Sequence, residues 1–483
     1  MQNKVAGKRN TRLAVLIQPQ LPFLDAGPEL GAVLPTASKP EEVTAGFRDP
    51  SFGHNRQYPI HRWVPWVAGF SAHFVHDCLT AYIPTERRDA AWVLDPFAGV
   101  GTTLLEAYLH GYNVIGFEIN PYAVLATRSK LEVGTVSEKL FRELIKKYEQ
   151  FMDENCGIDS TSTRVPRSQK PVGFSGRTEL YSPAIERKVL FTLDFIKSIR
   201  NPAVRNLFKL GFGSVMVSFS NYTYEPSLTR RVAVGKTLPT DADVKTAIAV
   251  KLRAMHDDAV WVQKHVRQMR RHPKRQVVAG SILDARRKIS KRSFVDLVVT
   301  SPPYLNNYHY PRNTRPQIHW LGFSKKRGYE GANESQSFGK FWQTVRELPE
   351  IKLKFELPEL SNILEIMRGL NPDKDQYGGA GWANYIATYF NDTYRFAKVL
   401  HALLRPNGVA VIVLGNSIIQ GVEVQTDQIF GNIAKLCGLE FEKTILLRNK
   451  RTGSSIIQSS VRVDKAKQKT VLYESAIVLR RPK

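Results

Sequence analysis

The stretch Ala91-Trp92-Val93-Leu94-Asp95-Pro96-Phe97-Ala98-Gly99-Val100-Gly101-Thr102-Thr103 decides how this chain folds. Four apolar residues of strand character run into Asp95, and Gly99 and Gly101 then open a helical stretch, Thr102–His110, that Gly111 stops. Asn113–Phe117 reads as a second strand, and Asn120-Pro121 supplies an N-cap and an N1 proline for a helix through Leu131. A strand-helix-strand-helix unit of this kind builds a parallel sheet covered by helices. Neither glycine has a Cβ, so the backbone at both positions can approach a ligand closely. The dinucleotide fingerprint has the same geometry, but Thr102-Thr103 stand where its third glycine would follow, so a pyrophosphate is not the expected guest. Glu118 lies 23 residues after Asp95, at the end of the second strand, where a carboxylate can accept from both hydroxyls of a ribose. A nucleoside with a charged amino-acid tail fits this loop better than a dinucleotide.

A second loop of the same type follows some 200 residues later. Phe294–Val299 reads as a buried strand and runs into Thr300-Ser301-Pro302-Pro303-Tyr304. Consecutive prolines stiffen the turn and remove competing N–H donors, so its carbonyls can be aimed at a substrate. Alone, the tetrapeptide is an ordinary proline turn; after a buried strand, in register with the first loop, it reads as a binding loop. Between the two, Gln276–Ala279 is a strand that opens onto Gly280-Ser281-Ile282-Leu283-Asp284.

In that order, Asp95–Thr103, Gly116–Pro121, Gly280–Asp284 and Thr300–Tyr304 resemble the cofactor and catalytic motifs of the amino-group DNA methyltransferases that use S-adenosylmethionine. His61–Ser71 is similar to the family segment that closes over the methionine end of the cofactor, and Gly408–Ser417 to a later core strand and its loop. The resemblance covers roughly 55–134, 276–310 and 380–483. It implies an α/β fold: a Rossmann-like class I methyltransferase sheet with helices on both faces, an antiparallel terminal hairpin and two insertions. It also implies cofactor contacts from Phe70, Asp95, Phe97, Ala98, Gly99, Gly101, Thr102, Glu118, Ile119 and Asp284, with Glu118 on the ribose and Asp284 on the adenine amino group. Ser301, Pro302, Pro303 and Tyr304 would be catalytic. An exocyclic base amine is a poor nucleophile because its lone pair is delocalised; acceptors such as the Ser301 hydroxyl and the Pro302 carbonyl would localise it, while Tyr304 stacks an extruded base. Ser301 in the first position resembles the cytosine-N4 branch of the family. Adenine-N6 methylation is the close alternative, and an RNA guanine-N2 methyltransferase a more distant one. A non-catalytic DNA-binding subunit of a defence complex would not need Asp95, Gly99, Gly101, Glu118, Ser301 and Tyr304 all intact.

Composition agrees. Among 483 residues, 69 Lys and Arg face 44 acids, a formal charge of +25 that favours a polyanionic partner, here double-stranded DNA. Lys245–Arg275 holds nine cations and two acids and reads as one basic helix ending before Pro273; a solvated face competes with a nucleic-acid surface there. Arg267, Arg270 and Arg271, with Lys450 and Arg451 of the loop to Lys469, are the candidate phosphate contacts. Expected boundaries are an N-terminal arm (1–50), core (51–134), basic helical insertion (135–275), core (276–310), second insertion (311–378) and core (379–483). Three scattered cysteines, Cys78, Cys156 and Cys437, predict neither disulfides nor a metal knuckle, and the histidines show no metal spacing. Lys4, Lys8, Arg9 and Arg12 before Leu13–Ile17 mimic a signal peptide, but Gln18-Pro19-Gln20 breaks the apolar run. A cytoplasmic enzyme without a membrane span or metal is expected, with a cognate restriction nuclease or defence complex as the possible partner.

Overall fold

The structure, a computed structural model, describes residues 47–48, 52–66, 71–157, 162–172, 174, 179–225, 227–269, 271–305, 310–324, 336–370, 378–450 and 472–483. Strand β1 (Trp92–Asp95) pairs in parallel with β2 (Asn113–Glu118), Leu94 opposite Ile115, and helix α2 (Thr102–Leu109) makes the crossover. Beyond β2 lies β3 (Arg275–Ala279), also parallel. On the opposite side β1 pairs with β4 (Val295–Thr300), Leu94 opposite Val298, and β4 with β5 (Leu404–Leu414). The last two strands, β6 (Glu440–Lys450) and β7 (Leu472–Arg480), are antiparallel, and β7 inserts between β6 and β5. The order is therefore β6-β7-β5-β4-β1-β2-β3.

This is the α/β, Rossmann-like methyltransferase sheet with its reversed strand. Its order turns back at β1: the chain leaves toward β2 and β3, then returns on the far side as β4. In open α/β sheets the ligand crevice lies outside the carboxyl ends of the strands at that switch point. Both loops singled out in the sequence leave from it.

Side-chain alternation assigns the two faces. Val93, Leu297, Val299 and Val411 join one core with α1 (Ala72–Tyr82), α3 (Pro121–Glu132), α4 (Glu138–Cys156), α5 (Pro183–Ser198), α6 (Pro202–Val215) and α7 (Val244–Gln268). Leu94, Val298 and Ile412 join the other with α8 (Pro358–Arg368), α9 (Gly379–Leu403) and α10 (Thr426–Leu436). The caps behave as expected, with Asn120 Oδ1 accepting from the amides of Tyr122 and Ala123 and Ser71 Oγ from that of Phe74.

Helix α1 begins at Ala72, where Ser71 caps it. Helix α7 ends at Gln268, before Pro273 as the sequence reading expects. Arg405–Gly408 forms an irregularity within β5, with Asn407 at φ +63°. Helix α10 and the hairpins Tyr222–Arg230 and Ser417–Val424 gave no clear signal in the sequence; the strands of both hairpins are only three residues long. Among the described residues, no helix is long and apolar enough to cross a membrane.

Candidate active site

Asp95 ends β1 and is buried, and one oxygen of its carboxylate accepts from the Phe97 amide at 3.0 Å and from Thr300 Oγ1 at 2.7 Å. Thr300 ends β4 and is followed directly by Ser301. A single hydrogen bond thus ties the roots of the two loops together across the switch point. Burial pushes the Asp95 carboxyl up to about 6, against the hydrogen bonds from Thr300 and Phe97 that favour its ionised form. Thr103 Oγ1 donates to the Val299 carbonyl at 3.2 Å, a second tie that joins the first turn of α2 to β4.

The first loop is a backbone cradle. Gly99 and Gly101 have φ +50° and +83°, the left-handed region in which a side chain is strained. A Cβ on Gly101 would lie 2.8 Å from Thr127 Cγ2, and Thr127 Oγ1 donates to the Gly99 carbonyl at 2.8 Å. A Cβ on Gly99 would meet Trp66 Nε1 at 3.1 Å, so Trp66 stands over the loop. Glu118 ends β2 half-buried; its oxygens accept from the Gly99 amide at 2.8 Å and the Asn120 amide at 2.7 Å. Burial raises its carboxyl to about 7, more than those two amides lower it. Asp284 lies in a short turn after β3, whose end is joined to β2 where the Gly280 amide donates to the Glu118 carbonyl at 2.7 Å.

The second loop is held from two sides, by α9 and by β7. On α9, the Tyr389 hydroxyl donates to the Pro303 carbonyl at 3.0 Å and the Tyr385 hydroxyl to the Leu305 carbonyl. The Tyr304 hydroxyl donates to Glu474 Oε1 at 3.1 Å, and Arg448 pairs with the other oxygen of Glu474. Among the described residues, the Ser301 hydroxyl and the Pro302 carbonyl have no hydrogen-bond partner.

With this geometry in view, comparison with known proteins is direct. A family model described as DNA methylase, N6_N4_Mtase, matches residues 38–128. The matches support an amino-group DNA methyltransferase. It is 22% identical over 444 residues to Type II methyltransferase M.BsoBI of Geobacillus stearothermophilus, covering 84% of this chain and 83% of that protein. It is also 22% identical over 427 residues to Type II methyltransferase M.AvaI of Nostoc sp., covering 84% of each. Among solved structures, the rRNA methyltransferase aviRa from Streptomyces viridochromogenes aligns with 86% of this chain and 87% of its own at 9% identity and a TM-score of 0.26, a superposition too loose to add to the strand order.

For this methyltransferase S-adenosylmethionine is the methyl donor, and the residues fit it: a cradle without Cβ atoms at Gly99 and Gly101, and a desolvated carboxylate at Glu118. Asp95, Phe97, Ala98, Gly99, Gly101, Thr102, Glu118 and Ile119 gather at the ends of β1 and β2, and Asp284 follows β3. Phe70 lies outside the described residues, as do Arg270, Arg451 and the side chain of Lys450. Arg267 is exposed at the end of α7. Arg271 bonds the Asp89 carbonyl and, at 2.6 Å, Asn113 Oδ1, at the amino end of β2 and so at the sheet edge opposite the two loops. Other cations of α7 also have partners within the chain: Lys245 pairs with Asp153 at 2.5 Å, Arg253 with Glu149, and Lys251 donates to the Arg62 carbonyl at 3.0 Å. Among the described residues no group of three metal-ligating side chains converges.

The sequence reading missed the groups that hold the site. Asp258, one of the two acids in the basic run, is buried and accepts from the Ile60 amide at 2.8 Å, Trp63 Nε1 at 2.9 Å and Arg62, fastening α7 to the segment that carries Trp66. Tyr385 and Tyr389 stand four apart on one face of α9, a pattern that signals a shared face but not the loop it meets.

Proposed function

We propose that this methyltransferase modifies the exocyclic N4 amine of cytosine at specific sites in double-stranded DNA. The observation that carries the reading is the Asp95–Thr300 hydrogen bond, which puts the cofactor cradle and Ser301-Pro302-Pro303-Tyr304 on adjacent strand ends at the switch point. S-adenosylmethionine supplies an electrophilic sulfonium methyl when bound. Glu118 orients it through the ribose, and the glycine cradle admits its backbone-proximal groups. Ser301 Oγ and the Pro302 carbonyl accept from the two N–H bonds of the amine and localise its lone pair toward the methyl carbon. Neither needs to be a strong base, and placement supplies much of the rate. Tyr304 stacks the extruded base with its hydroxyl anchored on Glu474.

Cytosine is favoured over adenine by serine in the first position of the loop, and DNA over RNA by the family model and by the Type II methyltransferases it resembles. The proposal includes site-specific methylation beside a cognate restriction nuclease, with exposed Arg267 and the basic stretch from Lys450 and Arg451 contacting phosphates. Modification-sensitive sequencing of DNA from cells expressing the protein tests this. The expected result is N4-methylcytosine in one recurrent sequence; N6-methyladenine would overturn the base assignment, and unmodified DNA the whole reading.

A further inference from the structure

Between the two loops lies a piece of the second insertion. Phe338 packs edge-on against Phe97 of the cofactor loop, with ring centroids 5.3 Å apart, and on its other side against Tyr389, also at 5.3 Å. Phe396 of α9 closes the cluster, 5.3 Å from Phe97 and 5.9 Å from Phe338. The next residue, Gly339, has φ +63°, and a Cβ there would lie 2.6 Å from Cδ2 of the Tyr389 ring. Its amide donates to Asp392 Oδ2 at 3.2 Å, which pins the wedge to α9. Phe338 and Tyr389 are both buried, at 3% and 1% exposure, so neither ring can shift without moving the other. Tyr389 in turn donates to the Pro303 carbonyl. That carbonyl belongs to the peptide plane from which Tyr304 departs, so its orientation sets where the Tyr304 ring stands.

We propose that Phe338 and Tyr389 are positioning residues forming a relay, Phe97–Phe338–Tyr389–Pro303, through which occupancy of the cofactor loop sets the geometry of the catalytic loop. The proposal rests on the methyltransferase reading given above and deepens it: the two half-sites are coupled in energy as well as adjacent in space. Packed rings and one hydrogen bond form a contiguous path, and a path becomes a coupling only when perturbing its middle uncouples its ends.

Two variants and two readouts test it in the full-length protein. Tyr389→Phe removes only the hydroxyl, and Phe338→Leu thins the wedge while keeping it apolar. In single turnover with labelled S-adenosylmethionine and unmodified DNA, each should lower the transfer rate by about 10- to 100-fold, as a small misplacement of reacting groups does. Affinity for S-adenosylhomocysteine by calorimetry should stay within about twofold, because neither variant alters the cradle or Glu118. A purely structural role would lower the rate and affinity together with the melting temperature, and that result overturns the proposal. The second readout needs no DNA: in the wild type, S-adenosylhomocysteine should slow hydrogen exchange at the amides of Tyr304 and Leu305, and in Phe338→Leu it should not. If wild-type protein transfers no label to DNA, the functional reading falls, while the exchange measurement still decides the relay. Equal protection of the loop in wild type and variant refutes it.

Discussion

Glu118 shows how one residue's environment becomes a binding property. Its carboxyl stands at about 7 because burial outweighs the amides of Gly99 and Asn120, so near neutral pH it is divided between two forms. In the proposed complex only the ionised form would accept from both ribose hydroxyls and favour a cationic sulfonium. Cofactor affinity should therefore be full above about 7 and fall as pH drops through it. Glu118→Gln should weaken binding by about 1.5–3 kcal/mol for each charge-assisted bond lost and flatten the pH dependence, as calorimetry across that range would report. Affinity independent of pH in the wild type would contradict this. The residue itself was legible in the sequence, since a carboxylate at a strand end after a glycine loop has a chemical reading. Its link to Gly99 was not, because a hydrogen bond to a loop amide leaves no mark on residue type. Thr300 is similar: it stood in the motif, but its bond to Asp95 spans 205 positions in the chain.

At the scale of elements, helices α3 and α7 bury charge that composition alone assigns to the surface. Lys130 of α3 is 1% exposed, its amine has no partner among the described residues, and burial, with Lys251 of α7 adding to it, lowers its pKa to about 7. A lysine with a folded pKa below its unfolded value binds fewer protons when folded, so its destabilisation is complete below about 7 and is relieved as pH rises toward the ordinary 10.5. Lys130→Met should raise stability at pH 7 by a few kcal/mol, since every pH unit separating the folded and unfolded pKa is worth about 1.4 kcal/mol, and should remove the rise between pH 7 and 10. Urea unfolding at the two pH values checks it, and an unchanged slope would contradict it. The cations of α7 and of the residues just after it divide in the same way. Arg267→Gln should reduce the log–log salt dependence of DNA binding by roughly 0.9 if it meets one phosphate. Arg271→Gln should instead lower the melting temperature and leave that slope alone, because its bonds go to Asp89 and Asn113. A run of nine Lys and Arg in the sequence carried no sign of which ones face inward.

For the molecule as a whole, the parallel core was readable because each of its strands is an apolar run that ends in a loop of distinct chemistry. The insertions were not, since their docking depends on buried partners far along the chain, as with Asp258 beneath Trp63 and Phe338 against Phe97. What unites core and insertions is a single claim: two loops at the switch point form one site, the first holding the methyl donor and the second the acceptor amine. Labelled methyl transfer to DNA by the double variant Ser301→Ala, Tyr304→Ala, measured beside its affinity for S-adenosylhomocysteine, tests that claim most directly. The expected result is loss of transfer with cofactor affinity at the wild-type value, since neither group belongs to the cradle; retained turnover would place the chemistry elsewhere and contradict the account.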